Sequence, residues 1–185
     1  MSIFDTLPER VSIAGKKYAV NTDFRAWMKI EGILSGNIGD KFSRLADALL
    51  LCYRELPENP EQAVEGMLWF YSLGEPGGSS GKAKAPIYNF EDDAEYIYAA
   101  FLSEFGIDLC TAQLHWWKFR ALFLALSENS KFSKVLAFRT VDVSKIKDKE
   151  QKRYYERMKK LYKLPDRRTE AEKEQAFAES LEMFF

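Results

Sequence analysis

A mainly α-helical fold, a bundle of about six to eight helices with one small N-terminal β-hairpin, is what this sequence predicts. Apolar residues recur at helical spacing along most of the chain, and helix-start signals precede those runs repeatedly. Period-two alternation occurs only near the N-terminus. The composition suits such a bundle. Hydrophobic residues make up 46% of the chain and aromatic residues 15%, enough for a core and too many for a disordered polymer.

The hairpin comes first. Val11 and Ile13 alternate on one arm, Tyr18 and Val20 on the other, and Gly15 supplies the tight turn. Asn21-Thr22-Asp23 then offers caps for a helix with Phe24, Trp27, Ile30 and Leu34 on one stripe, broken by Gly36 and Gly39. A second helix opens near Asp40 with Phe42, Leu45, Leu49 and Tyr53 as its apolar stripe, and ends before Pro57. Asn59-Pro60-Glu61-Gln62 combines a cap with proline at the first helical position and starts a third. Its apolar positions are Val64, Met67, Leu68 and Tyr71, and Gly74 ends it.

From Gly74 to Pro86 no apolar residue exceeds alanine in size, so the segment cannot offset its ordering entropy and reads as a mobile loop. Helices follow at 91–105, 112–127 and 130–138. Val141-Asp142-Val143 leads into a long charged helix whose stripe is Tyr154, Tyr155, Met158, Leu161 and Tyr162, stopped by Pro165. Thr169-Glu170-Ala171-Glu172 is a capping-box pattern for a last helix carrying Phe177, Leu181, Phe184 and Phe185 on one face. The expected organisation is a helical domain over 1–140, with charged helices over 141–185 that swing or bind a partner.

Chemistry-bearing motifs are sparse. Gly77-Gly78-Ser79-Ser80-Gly81-Lys82 lacks the glycine five positions before Gly81 and the hydroxyl after Lys82 that a phosphate-binding loop needs. His115, the single histidine, with Cys110 and Cys52 fits no structural zinc spacing, so it reads as a packed ring bonded to a neighbour. Both cysteines sit in apolar settings and read as free and buried. Glu91, Asp92, Asp93 and Glu95 occupy a helix start, where carboxylates favour the positive end of the macrodipole, and lack the glycine of a calcium loop. No catalytic residue, cofactor site or metal site is assigned.

A formal net charge of −1 gives no reason to expect a nucleic-acid partner for the whole chain. Charge is unevenly placed, however. Residues 144–168 hold eleven cations against four acids, and residues 88–130 hold seven acids against two cations, a complementarity that suits head-to-tail self-association. No apolar run reaches the ~18 residues of a membrane span, and the N-terminus lacks the pattern of a secretory signal. A protein of the bacterial cytoplasm is expected.

The densest aromatic stretch is Leu114-His115-Trp116-Trp117-Lys118-Phe119-Arg120-Ala121-Leu122, preceded by Asn89-Phe90-Glu91-Asp92-Asp93 and by Phe105-Gly106-Ile107-Asp108-Leu109. Apolar side chains surround this helix, which marks either the centre of a bundle or a partner groove. Trp117 is expected to be buried. Trp116, Phe119, Phe177, Leu181, Phe184 and Phe185 are the candidate partner contacts.

These three segments resemble a bacteriophage family labelled gp-fifteen, from siphophages and prophages of Gram-positive bacteria. The likeness runs from Phe4-Asp5 to about Phe138-Arg139. It implies a gene between those of the major tail protein and the tape-measure protein, and a non-enzymatic tail assembly chaperone that binds the tape-measure protein. A structural head–tail or tail-completion component of the virion is the alternative. The resemblance also leaves open a neighbouring or frameshifted tail chaperone product as a partner.

Overall fold

The computed structural model describes residues 6–36, 40–75 and 86–166. Strands β1 (Arg10–Ile13) and β2 (Lys16–Ala19) form an antiparallel hairpin, and helices α1 (Phe24–Ser35), α2 (Lys41–Cys52) and α3 (Pro60–Tyr71) follow. After the undescribed residues 76–85 come α4 (Ala94–Phe105), α5 (Trp116–Leu124), α6 (Lys131–Thr140), a single 3-10 turn at Val143–Lys145 and α7 (Lys149–Leu161). The mainly α class and the N-terminal hairpin are both present. Most of the loop expected at 74–86 and the last helix, with Phe177, Leu181, Phe184 and Phe185, lie outside the described residues.

The hairpin turn is Ala14-Gly15, both at positive φ (49° and 80°), the two-residue turn whose twist matches the flanking strands. β2 therefore starts two residues earlier than expected. Val20, still bonded to Glu9 O across the hairpin (3.0 Å), also forms a bridge with Tyr53. Val11 and Ile13 face α3 at Gly66, where an added Cβ would lie 2.7 Å from the Tyr53 hydroxyl and 3.2 Å from both aliphatic side chains. The Tyr53 hydroxyl donates to the Ala63 carbonyl at 2.7 Å. Small residues are thus what bring the hairpin onto α3.

That contact corrects the expected stripe of α3. Its buried side is Ala63, Gly66, Met67 and Phe70, while Leu68 stays 45% exposed, because alanine and glycine supply the closest approach yet add little to a hydrophobicity pattern. Similarly, Phe42 was expected on the buried stripe of α2 and is 82% exposed. α2 buries Ala48, Leu49 and Cys52, all in its second half. Cys110, expected buried, is exposed in the turn after α4. α7 buries no residue completely: Tyr155, Met158 and Tyr162 are half-buried, whereas Tyr154 and Leu161 of the same expected stripe are exposed.

The core is a column of rings. Trp27 stacks on Phe70 (4.8 Å) and Trp116 (6.1 Å), Trp116 on Phe119 (5.8 Å), and Phe119 on Phe24 and Phe101 (5.0 Å each). Phe123 continues it from Phe119 (5.7 Å) to Phe132 (5.2 Å). Offset ring pairs of this kind add about 0.5–1.5 kcal/mol each beyond the area they bury. All three buried indoles also reach a backbone acceptor. Trp27 Nε1 donates to Asn21 O (2.6 Å), Trp116 Nε1 to Tyr71 O (3.1 Å) and Trp117 Nε1 to Phe70 O (2.8 Å). The last two reach carbonyls at the C-terminal end of α3, where the helical ladder runs out, and Phe70 O also accepts from the Leu73 N–H (3.3 Å).

A second buried centre is ionic. Asp93 is fully buried and takes a bidentate pair from Arg139, Nη1 to Oδ2 and Nη2 to Oδ1, each 2.7 Å. Arg139 also donates from Nε to the Tyr162 carbonyl (2.6 Å) and from Nη1 to the Ile87 carbonyl (3.1 Å). The acidic helix start therefore works differently from expectation. Asn89 caps it, accepting from the N–H groups of Glu91 and Asp92, and α4 begins only at Ala94. Asp93 is spent on a partner in α6.

Two outcomes follow. Trp117→Ala is expected to cost about 3–5 kcal/mol in chemical denaturation, and a loss under about 1 kcal/mol would contradict the packing. Arg139→Ala is expected to cost about 3–5 kcal/mol by orphaning the buried Asp93 carboxylate. Arg139→Lys should recover only part of that, since lysine lacks the planar fork.

Candidate partner-binding groove

The α5 start explains His115. α1 and α5 begin side by side: Phe24 N–H donates to Leu114 O (3.1 Å) and Trp116 N–H to Thr22 O (2.7 Å). Residues 112–114, expected to open the helix, carry no regular structure instead, and His115 is the cap. Its Nδ1 accepts from the Trp117 N–H (3.0 Å), which places the proton on Nε2, donating to Pro8 O (3.0 Å). Burial lowers the ring's pKa, opposed by the bond to Pro8. This is a packed histidine with both nitrogens engaged. Burial also pushes the Cys52 thiol up to about 12, so it stays protonated. Among the described residues no three His, Cys, Asp or Glu side chains converge as metal ligands, and no helix is long and apolar enough to cross a membrane.

Trp116 and Phe119, expected as candidate partner contacts, are core residues with no exposed surface. They link α1, α3, α4 and α5, and no partner can reach them in this conformation. One ring of the column, Trp27, instead forms part of the floor of a different surface.

Between α1 and α3 runs a groove of about 310 Å³, lined by Trp27, Ile30, Leu34, Met67, Leu68 and Tyr71, with Glu31 and Ser35 at its edge. Its floor, Trp27, Ile30 and Met67, is fully buried. Its lips, Leu34 and Leu68, are 40% and 45% exposed. The polar handle is Glu31, which accepts from the Tyr71 hydroxyl. Burial raises the Glu31 pKa, while the Tyr71 bond and the nearby Arg120 guanidinium pull it back. Burial raises the Tyr71 phenol further, with Glu31 acting the same way. Arg120 of α5 donates to the Tyr88 hydroxyl (3.1 Å) and lies 6.0 Å from the Tyr71 ring centre, joining the groove wall to α5. The Ser35 hydroxyl at the groove's edge is held by the Glu31 carbonyl (2.7 Å). The groove can seat one or two apolar side chains and orient a polar or cationic neighbour.

Sequence reasoning placed Leu34, Leu68 and Tyr71 on core stripes and passed over Glu31 and Arg120. The available signal was a carboxylate directly after Ile30, inside an apolar run.

A family model described as Bacteriophage Gp15 protein matches residues 3–164. The chain belongs to that family. The match spans the hairpin, all seven described helices and the groove, and stops just before Pro165, so it reaches beyond the Arg139 limit of the sequence resemblance and takes in α7. No curated protein and no solved structure matches this Gp15-family chain.

The His115 cap carries a pH dependence. Its folded pKa is lowered from an unfolded value near 6.5, so its contribution to stability is fully present above that value. The contribution is lost as the pH falls through the lower folded value. Denaturation midpoints measured from pH 7.5 to 5 should fall more steeply in the wild type than in His115→Asn, which keeps a cap without the titration. Parallel curves would rule this out.

Proposed function

We propose that this Gp15-family protein is a non-enzymatic tail assembly chaperone acting in the host cytoplasm, and that it holds helical segments of the tape-measure protein in the α1–α3 groove. The observation that carries the reading is the groove itself: two partly exposed leucines above a buried floor of Trp27, Ile30 and Met67, with one carboxylate at the rim. An amphipathic helix anchors in such a groove through apolar residues at i, i+3 or i+4. A tape-measure protein is long and helical, and before the tube assembles around it, its apolar stripes would associate with one another. Small, shallow seats repeated along that length bind each stripe weakly enough to be displaced when tube subunits arrive. Family membership supports the phage setting, and the fold supports a binding rather than a reacting surface.

Leu34→Asp and Leu68→Asp test it. Both side chains are partly exposed, so folding should survive, as circular dichroism can verify. Affinity for tape-measure fragments, measured by calorimetry, should fall roughly 30-fold per substitution, which corresponds to ~2 kcal/mol for one buried leucine. Unchanged affinity would remove the groove from the reading. Mass spectrometry of purified virions addresses the alternative, a head–tail or tail-completion component: a chaperone should be absent from the particle and a structural component present.

A further inference from the structure

A second groove, of about 990 Å³, lies along the outer edge of β1, with Thr6 to Ala14 on one wall and Gln62, Glu65, Gly66 and Trp69 of α3 on the other. β2 contributes only Lys17 to it, so the opening follows the side of the hairpin that carries no strand. The register decides what that edge presents. Ile13 pairs with Lys16 across the two-residue turn, Val11 pairs with Tyr18, and Val20 N–H donates to Glu9 O at 3.0 Å. In an antiparallel ladder, alternate residues bond inward, so Glu9, Val11 and Ile13 face β2. Arg10 and Ser12 therefore turn their N–H and C=O groups into the groove, and no hydrogen bond from another described residue meets them.

We infer that the β1 edge is a strand-addition site that binds an extended peptide with apolar and acidic residues in alternation. Free backbone pairs on a sheet edge are a template for one more strand. Side chains opposite Val11 and Ile13 point toward α3, where Trp69 is 38% exposed beside Gly66. Those positions take apolar residues, and Glu65 on the same wall disfavours acids there. Positions opposite Arg10 and Ser12 share the outer face with Arg10 and Lys17. Both cations are exposed, and neither has an ion-pair partner among the described residues. Charge complementarity then selects acids on the outer positions. This site is separate from the α1–α3 groove and does not depend on what that groove binds.

The probe is a short acetylated and amidated peptide alternating valine and aspartate, added to the full-length protein, with residue-resolved amide hydrogen exchange as the readout. At saturation, exchange at Arg10 and Ser12 should slow at least about tenfold, because both amides enter a ladder. The same peptide with lysine for aspartate should bind at least about tenfold more weakly, and Arg10→Glu should reverse that preference. Leu34→Asp should leave this binding unchanged, which separates its failure from failure of the helix groove. Three results would overturn the inference. The first is no slowing at Arg10 and Ser12. The second is full protection of both amides in dilute free protein, which would mean the chain covers its own edge. The third is protection that grows with protein concentration in the absence of peptide, which would make a second copy the occupant.

Discussion

The Arg139 guanidinium is the point on which the second half of the molecule depends. It holds four backbone or carboxylate oxygens drawn from three parts of the chain: both Asp93 oxygens before α4, the Ile87 carbonyl, and the Tyr162 carbonyl at the end of α7. A charge so enclosed is costly to desolvate, and only good geometry repays that cost. Here four of the five guanidinium N–H donors are engaged, and the Asn89 N–H supplies a further donor to Asp93 at 3.0 Å. The described part of the charged C-terminal segment is therefore seated on the body. Phe138 stacks on Tyr162 (5.7 Å), and Lys131 donates to the Tyr162 hydroxyl (2.6 Å).

The ring column ties the first half of the chain to the second, joining Phe24, Trp27 and Phe70 to Phe101, Trp116 and Phe119. Its rigidity is a consequence of polar handles as well as area, since each buried indole N–H finds a carbonyl and leaves no orphaned donor. Two of those carbonyls end α3, so the orientation of α3 relative to α5 is set by hydrogen bonds that also position Tyr71. The floor of the α1–α3 groove is thus preorganised by the core. A partner seated there need not pay to order it.

Much of the fold was legible in the chain because helix caps and apolar periods are local signals. The caps at Asp23, Asp40 and Asn59 each accept a backbone N–H, and Trp117 is buried as its neighbours imply. His115 was legible as a packed ring, though not as a cap. The candidate contacts Trp116 and Phe119 were misplaced for a physical reason: aromatic residues suit cores and hot spots equally, and composition cannot separate the two. The groove was illegible because its lips, Leu34 and Leu68, have the same periodicity as core positions.

By itself the sequence determined the mainly α class, the single hairpin, most helix starts and the kinship with a phage family, since each rests on residues within a few positions of one another. Only the tertiary structure decided which way α3 faces, that Phe42 lies in solvent, and that Asp93 is an ion-pair partner of Arg139. Those outcomes depend on what meets each face across long sequence separations. Two small residues, Ala63 and Gly66, turned α3 toward the hairpin by permitting close approach, and Leu68 was left at the surface as a result. Hydrophobicity says that a side chain can be buried; steric fit against a distant element says whether it is.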